Sequence, residues 1–381
     1  MFMPGGELIQ IGDGIDPLVA TLTVKSNSFF KRCILYGDIG FGESFVDGEW
    51  ETDSITQVIK WVLLNIDRAP SVSGSKVKAF GLNLLKLFNK FGSMKRANSM
   101  AGSRKNITEH YDLSNEFFAL FLDADMTYSS AYFKEPDMTL EEAQNAKYER
   151  LCRQLHLKAD DHVLEIGSGW GANAIYMAKN YGCRVTTATI SEEQFKLTKE
   201  RIARQGLTHK ITVLLSDYRL LTGKFDKIVS IEMLEAVGAQ YLPVYFKKCN
   251  TLLKKDGIFA FQVITCPDSR FASLKNGVDW IQKHIFPGSL LPSVAAINKA
   301  INDTGDLTLL DLKDLGNDYA LTLNQWHKAF GKNIKAVKQL GFDERFIRKW
   351  NYYLNYCEAA FAMRNINVMQ FVYARPNTLR G

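Results

Sequence analysis

Three glycines directly after an apolar run are the first residues of this chain with an evident chemical use. Val163-Leu164-Glu165-Ile166 reads as a strand and runs into Gly167-Ser168-Gly169-Trp170-Gly171. Glycines at a strand-to-helix junction allow a tight turn and let a ligand approach the backbone. Ligands of open α/β sheets bind beyond the carboxyl ends of the strands, which is where this loop falls. The chemistry on offer is therefore the binding of a nucleotide-like cofactor. Dinucleotide enzymes favour GxGxxG, with an acidic residue closing the next strand to hold a ribose. Here Ala172 stands at the last glycine position, and Thr189 closes the next strand, with Ser191 and Glu193 just after it. From the loop alone nicotinamide, flavin and S-adenosylmethionine all stay open, as does a glycine turn with no ligand.

The elements needed to position this loop are legible around it. The spacing predicts a helix over Leu140–His156 and strands over His162–Ile166, Arg184–Ala188, Ile211–Leu215, Lys227–Met233 and Gly257–Ile264. Helices are expected across Gly171–Asn180, Ser191–Gln205 and Tyr241–Leu253, the second with Glu192 and Glu193 in its first turn. This alternation argues for an α/β fold with a parallel, doubly wound sheet. After Pro267 the rhythm breaks. A helix over Lys275–Phe286, an aromatic-rich helical cover over Tyr319–Phe361 and a last strand at Val368–Tyr373 are expected there. In front lies a smaller, mainly helical unit. Gly37, Gly40, Gly42 and Gly48 punctuate a turn region, and Ser54–Asn65 carries apolar residues at helical spacing. The division expected is a helical N-terminal, membrane-associated unit over residues 1–100, including a basic linker, and a catalytic unit over 101–381.

Composition narrows the classes. The chain has 381 residues, 46% hydrophobic and 23% charged, which excludes a disordered or low-complexity chain. No apolar run approaches the roughly 20 residues that span a bilayer, and no signal peptide is read at the N-terminus. The six cysteines are scattered without metal-ligand spacing, and the reading is reduced thiols in a cytoplasmic protein with no metal site. Net charge is +6, but its placement is more telling. Between Asp67 and Glu109 there is no acidic residue, while Lys76, Lys78, Lys86, Lys90, Lys95 and Arg96 fall in that gap. Phe and Leu residues lie among them at helical spacing, the pattern of a helix that rests on an anionic membrane surface or packs on its own domain.

Several motifs together carry a resemblance. His110-Tyr111-Asp112-Leu113-Ser114-Asn115-Glu116-Phe117-Phe118, Met126-Thr127-Tyr128-Ser129-Ser130-Ala131-Tyr132-Phe133 and the glycine loop are similar to the cyclopropane-fatty-acyl-phospholipid synthase family. So are Met233-Leu234-Glu235-Ala236-Val237-Gly238, Asp279-Trp280-Ile281 with His284-Ile285-Phe286-Pro287-Gly288, and the front segment Gly40-Phe41-Gly42-Glu43-Ser44. The resemblance implies a Rossmann-like methyltransferase. It implies transfer of the methyl group of S-adenosylmethionine to the double bond of an unsaturated phospholipid acyl chain, giving a cyclopropane.

Carried over position by position, Tyr128 and Ser129 would meet the methionine end of the cofactor. Gly167, Gly169 and Gly171 would line it, Thr189 and Gln194 would sit at the ribose, and Tyr218 beside the adenine. The family's base resembles a bound bicarbonate, and the matching positions are Glu235, Gln262, Tyr319, Ser130 and the backbone of Ile264. Gln262 replaces the more frequent His, Ser130 the more frequent Cys, and Ala236 the His common in relatives. With those replacements, a methylene or methyl-branched product is the alternative. Small-amine N-methylation and a cofactor- or lipid-binding protein without turnover are the readings from other classes. The partners implied are the phospholipid substrate and a membrane surface touched peripherally. A homodimer is what the family suggests. A nucleic-acid substrate is not expected, because Glu232-Met233-Leu234-Glu235 stands where a proline-bearing target-base motif would be.

Overall fold

The computed structural model describes residues 1–12, 18–65 and 113–376. The basic stretch 76–96 and His110-Tyr111-Asp112 lie outside the described residues.

Near the N-terminus, β1 (Thr23–Val24) pairs antiparallel with β2 (Trp50–Glu51), and α1 (Ser28–Val46) runs between them. α2 (Ile55–Asn65) follows. Of the glycines expected to mark a turn, Gly48 does sit in the turn after α1, but Gly37, Gly40 and Gly42 lie inside the helix. Gly37 breaks the helix with φ 57° and ψ −130°, but Gly40 and Gly42 are helical. Gly42 is there for contact: a Cβ on it would stand 2.5 Å from the Trp280 ring.

Next come α3 (Asn115–Ala119) and α4 (Leu140–Gln154), the latter opened by a capping box between Thr139 and Glu142. The sheet then begins with β3 (His162–Ile166), α5 (Ala172–Tyr181), β4 (Arg184–Thr189), α6 (Glu192–Arg204), β5 (Ile211–Leu215) and β6 (Phe225–Ile231). It continues with α7 (Leu242–Leu252) and β7 (Leu253–Thr265). After α8 (Asp268–Asn276), α9 (Trp280–His284) and α10 (Val294–Asn302) come β8 (Thr308–Asp314), α11 (Gly316–Lys332), α12 (Ile334–Gln339), α13 (Glu344–Ala362) and β9 (Asn367–Ala374).

The seven strands are ordered β5-β4-β3-β6-β7-β9-β8. The first five are parallel, whereas β9 runs antiparallel to both β7 and β8. The sheet is therefore doubly wound but mixed, because α13 returns the chain to the end of the sheet from which β9 must run backwards. β8 had no counterpart in the sequence reading. Its residues alternate between half-buried and exposed, with Asp311 and Lys313 among them, as suits an edge strand. The helix expected over Lys275–Phe286 is broken in two around Gly277.

Parallel strands covered on both faces need apolar residues throughout, and Ile228, Val229, Phe259 and Ala260 are fully buried. α7 and α10 cover one face with Tyr245, Phe246 and Ile297. α4 and α5 cover the other with Leu151 and Met177. A third cluster caps the carboxyl-terminal end of the sheet. It joins Trp50, Val58 and Ile59 of the front segment to Phe117, Trp280, Trp326 and Trp350. A buried hydrogen bond of 2.8 Å from Thr56 Oγ1 to Asn355 Oδ1 fixes α2 on α13. The two sequence regions thus share one core over the mouth of the strands.

Candidate active site

A cavity of about 1340 Å³ lies between this cap and the carboxyl ends of β3, β4 and β6. It exceeds the roughly 300–1,000 Å³ usual for one small ligand. Gly167, Gly169, Thr189, Gln194 and Tyr218 line one end. Tyr128, Leu323, Tyr353, Phe361, Phe286 and the front residues Leu35, Ile39 and Leu63 line the rest.

The cofactor end is built by strand ends and helix starts. Gly167, Gly169 and Gly171 have φ of 94°, 49° and 87°, in the left-handed region that side chains disfavour. A Cβ on Gly169 would meet nothing within 4 Å, so it would stand in the cavity where a ligand passes. Gly171 does another job: it sits behind the loop, where a Cβ would lie 2.7 Å from Thr198 Cγ2 of α6. Ser191 caps α6 by accepting from the Gln194 N–H, and Thr189 Oγ1 donates to Gln194 Oε1 at 2.9 Å. The pair expected at the ribose is therefore locked by its own capping geometry. Tyr218 presents a partly buried ring, braced edge-on by Tyr245, with the Arg219 guanidinium 5.3 Å from its centre. These residues fit S-adenosylmethionine: a glycine cradle, hydroxyl and amide groups, and a flat ring.

Beneath the loop, Glu165 is buried and accepts from Thr187 Oγ1 at 2.6 Å and Asn173 Nδ2 at 2.8 Å. Burial pushes its carboxyl up to about 7 against those two bonds. A raised carboxyl contributes stability below its ordinary value of 4.5 and loses it as pH rises through the folded value. Glu165→Gln keeps the shape without the charge. The unfolding free energy of wild type should therefore fall relative to this variant between about pH 4.5 and 7, by on the order of 3 kcal/mol, read from denaturant unfolding. A gap that stays constant with pH would refute this.

The other end holds Tyr128 and Ser129, expected at the methionine end of the cofactor, and the positions expected at the base. Tyr128 shares a 2.8 Å hydrogen bond with the Tyr353 hydroxyl. Ser129 Oγ accepts from the fully buried Lys147 ammonium at 2.7 Å. Tyr319 packs on Phe361 with ring centres 4.4 Å apart. Glu235 Oε1 accepts from the Ile264 N–H at 2.5 Å, and its Oε2 is buried with no hydrogen-bond partner. Burial, reinforced by the Glu232 charge, raises the Glu235 carboxyl. All five expected base positions are brought to one place, although Ser130 and Gln262 stand behind the cavity wall.

What the sequence reading did not assign is the group they surround. Glu232 Oε1 accepts from the Ser130 N–H at 2.8 Å and from Gln262 Nε2 at 2.7 Å, and Tyr319 lies close to the same carboxylate. Ser130 Oγ turns away, donating to the Ala131 carbonyl. Gln262 Oε1 accepts from Gln370, which in turn accepts from Arg150. Lys147 adds a buried cation to Glu232. The donors expected for bicarbonate therefore already have an internal acceptor, and a bound bicarbonate would set a second anion directly against Glu232. The residues present do not fit it. Glu232 was legible only as a second carboxylate three residues before Glu235. Lys147 gave no signal, being one lysine on a polar helix.

Residues 98–371 match the family model for mycolic acid cyclopropane synthetase. The chain is 39% identical to the cyclopropane-fatty-acyl-phospholipid synthase of Escherichia coli, covering 93% of this chain and 88% of that protein. It is 37% identical to the tuberculostearic acid methyltransferase UfaA1 of Mycobacterium tuberculosis, covering 94% and 84%. The crystal structure of mycolic acid cyclopropane synthase CmaA1 complexed with SAH and CTAB superposes with a TM-score of 0.66 at 31% identity, over 71% of this chain and 98% of that one. The chain belongs to this family of S-adenosylmethionine-dependent methyltransferases, the one that includes cyclopropane-fatty-acyl-phospholipid synthase.

Proposed function

We propose that this enzyme transfers a methyl group to the double bond of an unsaturated fatty acyl chain of a phospholipid and closes a cyclopropane ring. The observation that carries the reading is the two-ended cavity: a polar glycine-loop end opening into an apolar and aromatic chamber. S-adenosylmethionine, when bound, supplies a methyl group on a positively charged sulfur. Gly167, Gly169, Thr189, Gln194 and Tyr218 would hold it. The chamber's task is to align the double bond and to exclude water from the carbon that becomes cationic. The ring faces of Tyr319, Tyr353 and Phe361 offer electron density there without a nucleophile that would trap the cation. A carboxylate must then take a proton from the added methyl group.

A second reading has its own support. Ser130, Gln262 and the likeness to a tuberculostearic acid methyltransferase favour a methylene or methyl-branched product. Purified enzyme, vesicles of monounsaturated phospholipid and methyl-labelled S-adenosylmethionine separate the two. Label is expected in acyl chains that survive mild hydrogenation unchanged, as a ring does. A reducible product moves the assignment to the second reading, and no label in any lipid overturns both.

No helix among the described residues is long and apolar enough to cross a membrane. The enzyme is proposed to act at the cytoplasmic membrane surface and to draw the acyl chain up into the cavity. Ile34, Leu35 and Tyr36 support this, being exposed beside the residues of α1 that line it. The basic segment 76–96 is the proposed anchor, within a front unit of residues 1–100, and a homodimer is the proposed assembly. Charge reversal at Lys86 and Lys90 should weaken co-sedimentation with anionic vesicles at low salt. Unchanged co-sedimentation would remove that segment from the docking surface.

A further inference from the structure

The carboxylate that the base must provide is already in the chain. Glu232 follows the last residue of β6, and its backbone adopts φ 47°, a conformation that non-glycine residues rarely hold. Strained residues of this kind persist where the surroundings over-determine them, and they cluster at functional sites. The surroundings here are specific. The Glu232 N–H donates to the Gln262 carbonyl at 2.8 Å, which ties the residue to β7. Its carboxylate is gripped by the Ser130 N–H and by Gln262 Nε2, with Tyr319 close beside it. Gln262 is itself held in one orientation, since its Oε1 accepts from Gln370 and its Nε2 also donates to the Ser130 carbonyl. Lys147 stands near as the counter-charge, oriented by Ser129 Oγ and Gln144 Oε1. Glu232 nevertheless lines the cavity, as do Met233 and Glu235 just after it on the loop that also meets the apolar chamber.

We propose that Glu232 is the general base of the methyl-transfer reaction, and that its side chain takes the place of a bound bicarbonate, which this enzyme neither binds nor needs. The proposal rests on the lipid C-methylation reading above. The double bond gives its electron pair to the methyl carbon, while the C–S bond breaks with its pair staying on sulfur, which leaves as S-adenosylhomocysteine. The neighbouring carbon is left cationic. Glu232 removes one proton from the added methyl, and the released C–H pair forms the third side of the ring. If a hydride shifts first, the loss of the same proton gives a methylene, so the assignment of the base does not depend on the product. The protonated Glu232 returns its proton to solvent as the product leaves. Gln262, the Ser130 N–H and Tyr319 are positioning groups for that carboxylate.

Two measurements decide the matter. In carbon-dioxide-depleted buffer, methyl transfer by wild type should be unchanged by added bicarbonate. Glu232→Gln should lose roughly 10²–10⁴-fold in turnover while binding S-adenosylmethionine as wild type does. A wild-type rate that collapses without bicarbonate and recovers on its addition overturns the proposal, as does a Glu232→Gln variant of wild-type rate. The second measurement needs no turnover: ¹³C-labelled bicarbonate is titrated with the protein and its line width followed. No broadening is expected with wild type. Broadening is expected with Glu232→Gly, which opens the space and also relieves the positive φ. Saturable binding by wild type overturns the proposal even if no lipid substrate is found. A wild type that labels no lipid and binds no bicarbonate removes the lipid reading but keeps Glu232 as occupant of the anion position.

Discussion

Lys147→Met is expected to lower the melting temperature by on the order of 10 °C and to abolish most turnover. Lys147 is fully buried, with its ammonium on Ser129 Oγ and Gln144 Oε1, and its environment includes the carboxylates of Glu232 and Asp123. Burial drives its pKa down, while the two carboxylates hold it up. Removing one member of a buried charge pair leaves the other without compensation, at a cost of about 3–5 kcal/mol. Glu232 would respond by taking up a proton at neutral pH, which removes the base. Adding Glu232→Gln to Lys147→Met deletes both charges, so the double variant should melt well above the sum of the two single losses. Differential scanning calorimetry on the four proteins tests this. A single variant that melts within about 2 °C of wild type, or strictly additive losses, would show that the pair is not energetically linked.

Gly171→Ala should reduce affinity for S-adenosylmethionine by at least about 100-fold while leaving a folded protein. The position has φ 87°, where an L side chain costs roughly 1–2 kcal/mol, and the new Cβ would press on Thr198 from 2.7 Å. That overlap forces either the loop or α6 to move, and overpacking typically costs about 1–3 kcal/mol more. Both movable parts carry proposed cofactor positions: Gly167 and Gly169 on the loop, Gln194 in the first turn of α6. Isothermal titration with S-adenosylmethionine or S-adenosylhomocysteine measures the effect. Wild-type affinity in this variant would mean that the loop does not depend on its seating against α6.

Which parts of this arrangement could be read before the fold was seen follows from the range of the interactions involved. β3 and β5 match their predicted bounds, because a short apolar run between turn signals is a local property. β8 escaped, since an edge strand with charged residues on alternate positions lacks that run. The glycine loop and the Thr189–Gln194 pair were legible as local features because each lies within one stretch of chain. Gly40 and Gly42 were misread as turn formers because the partner of Gly42, Trp280, lies far away in sequence and cannot be inferred from glycine's local preferences. The same holds for the base. Ser130, Glu232, Gln262 and Tyr319 come from four separate elements, and only the strand order brings the Glu232 carboxylate under the other three. Likeness to a family pointed to the surrounding positions, which the fold brings together, but left open which acceptor they serve.

The shared core between the front segment and α13 has a consequence for how the chain is made. Thr56 and Asn355 are separated by 299 residues, and Trp50 lies in the same cluster as Trp350. α2 is 11 residues long, too short to be stable alone in water, and Val58 and Ile59 have their burial partners near the end of the chain. During synthesis the ribosome releases α2 long before α13. At about 5–20 residues per second, the apolar face of α2 then waits on the order of half a minute before its docking surface exists. The first segment made is thus the last to be secured, and in that interval its exposed apolar face is what a chaperone would bind.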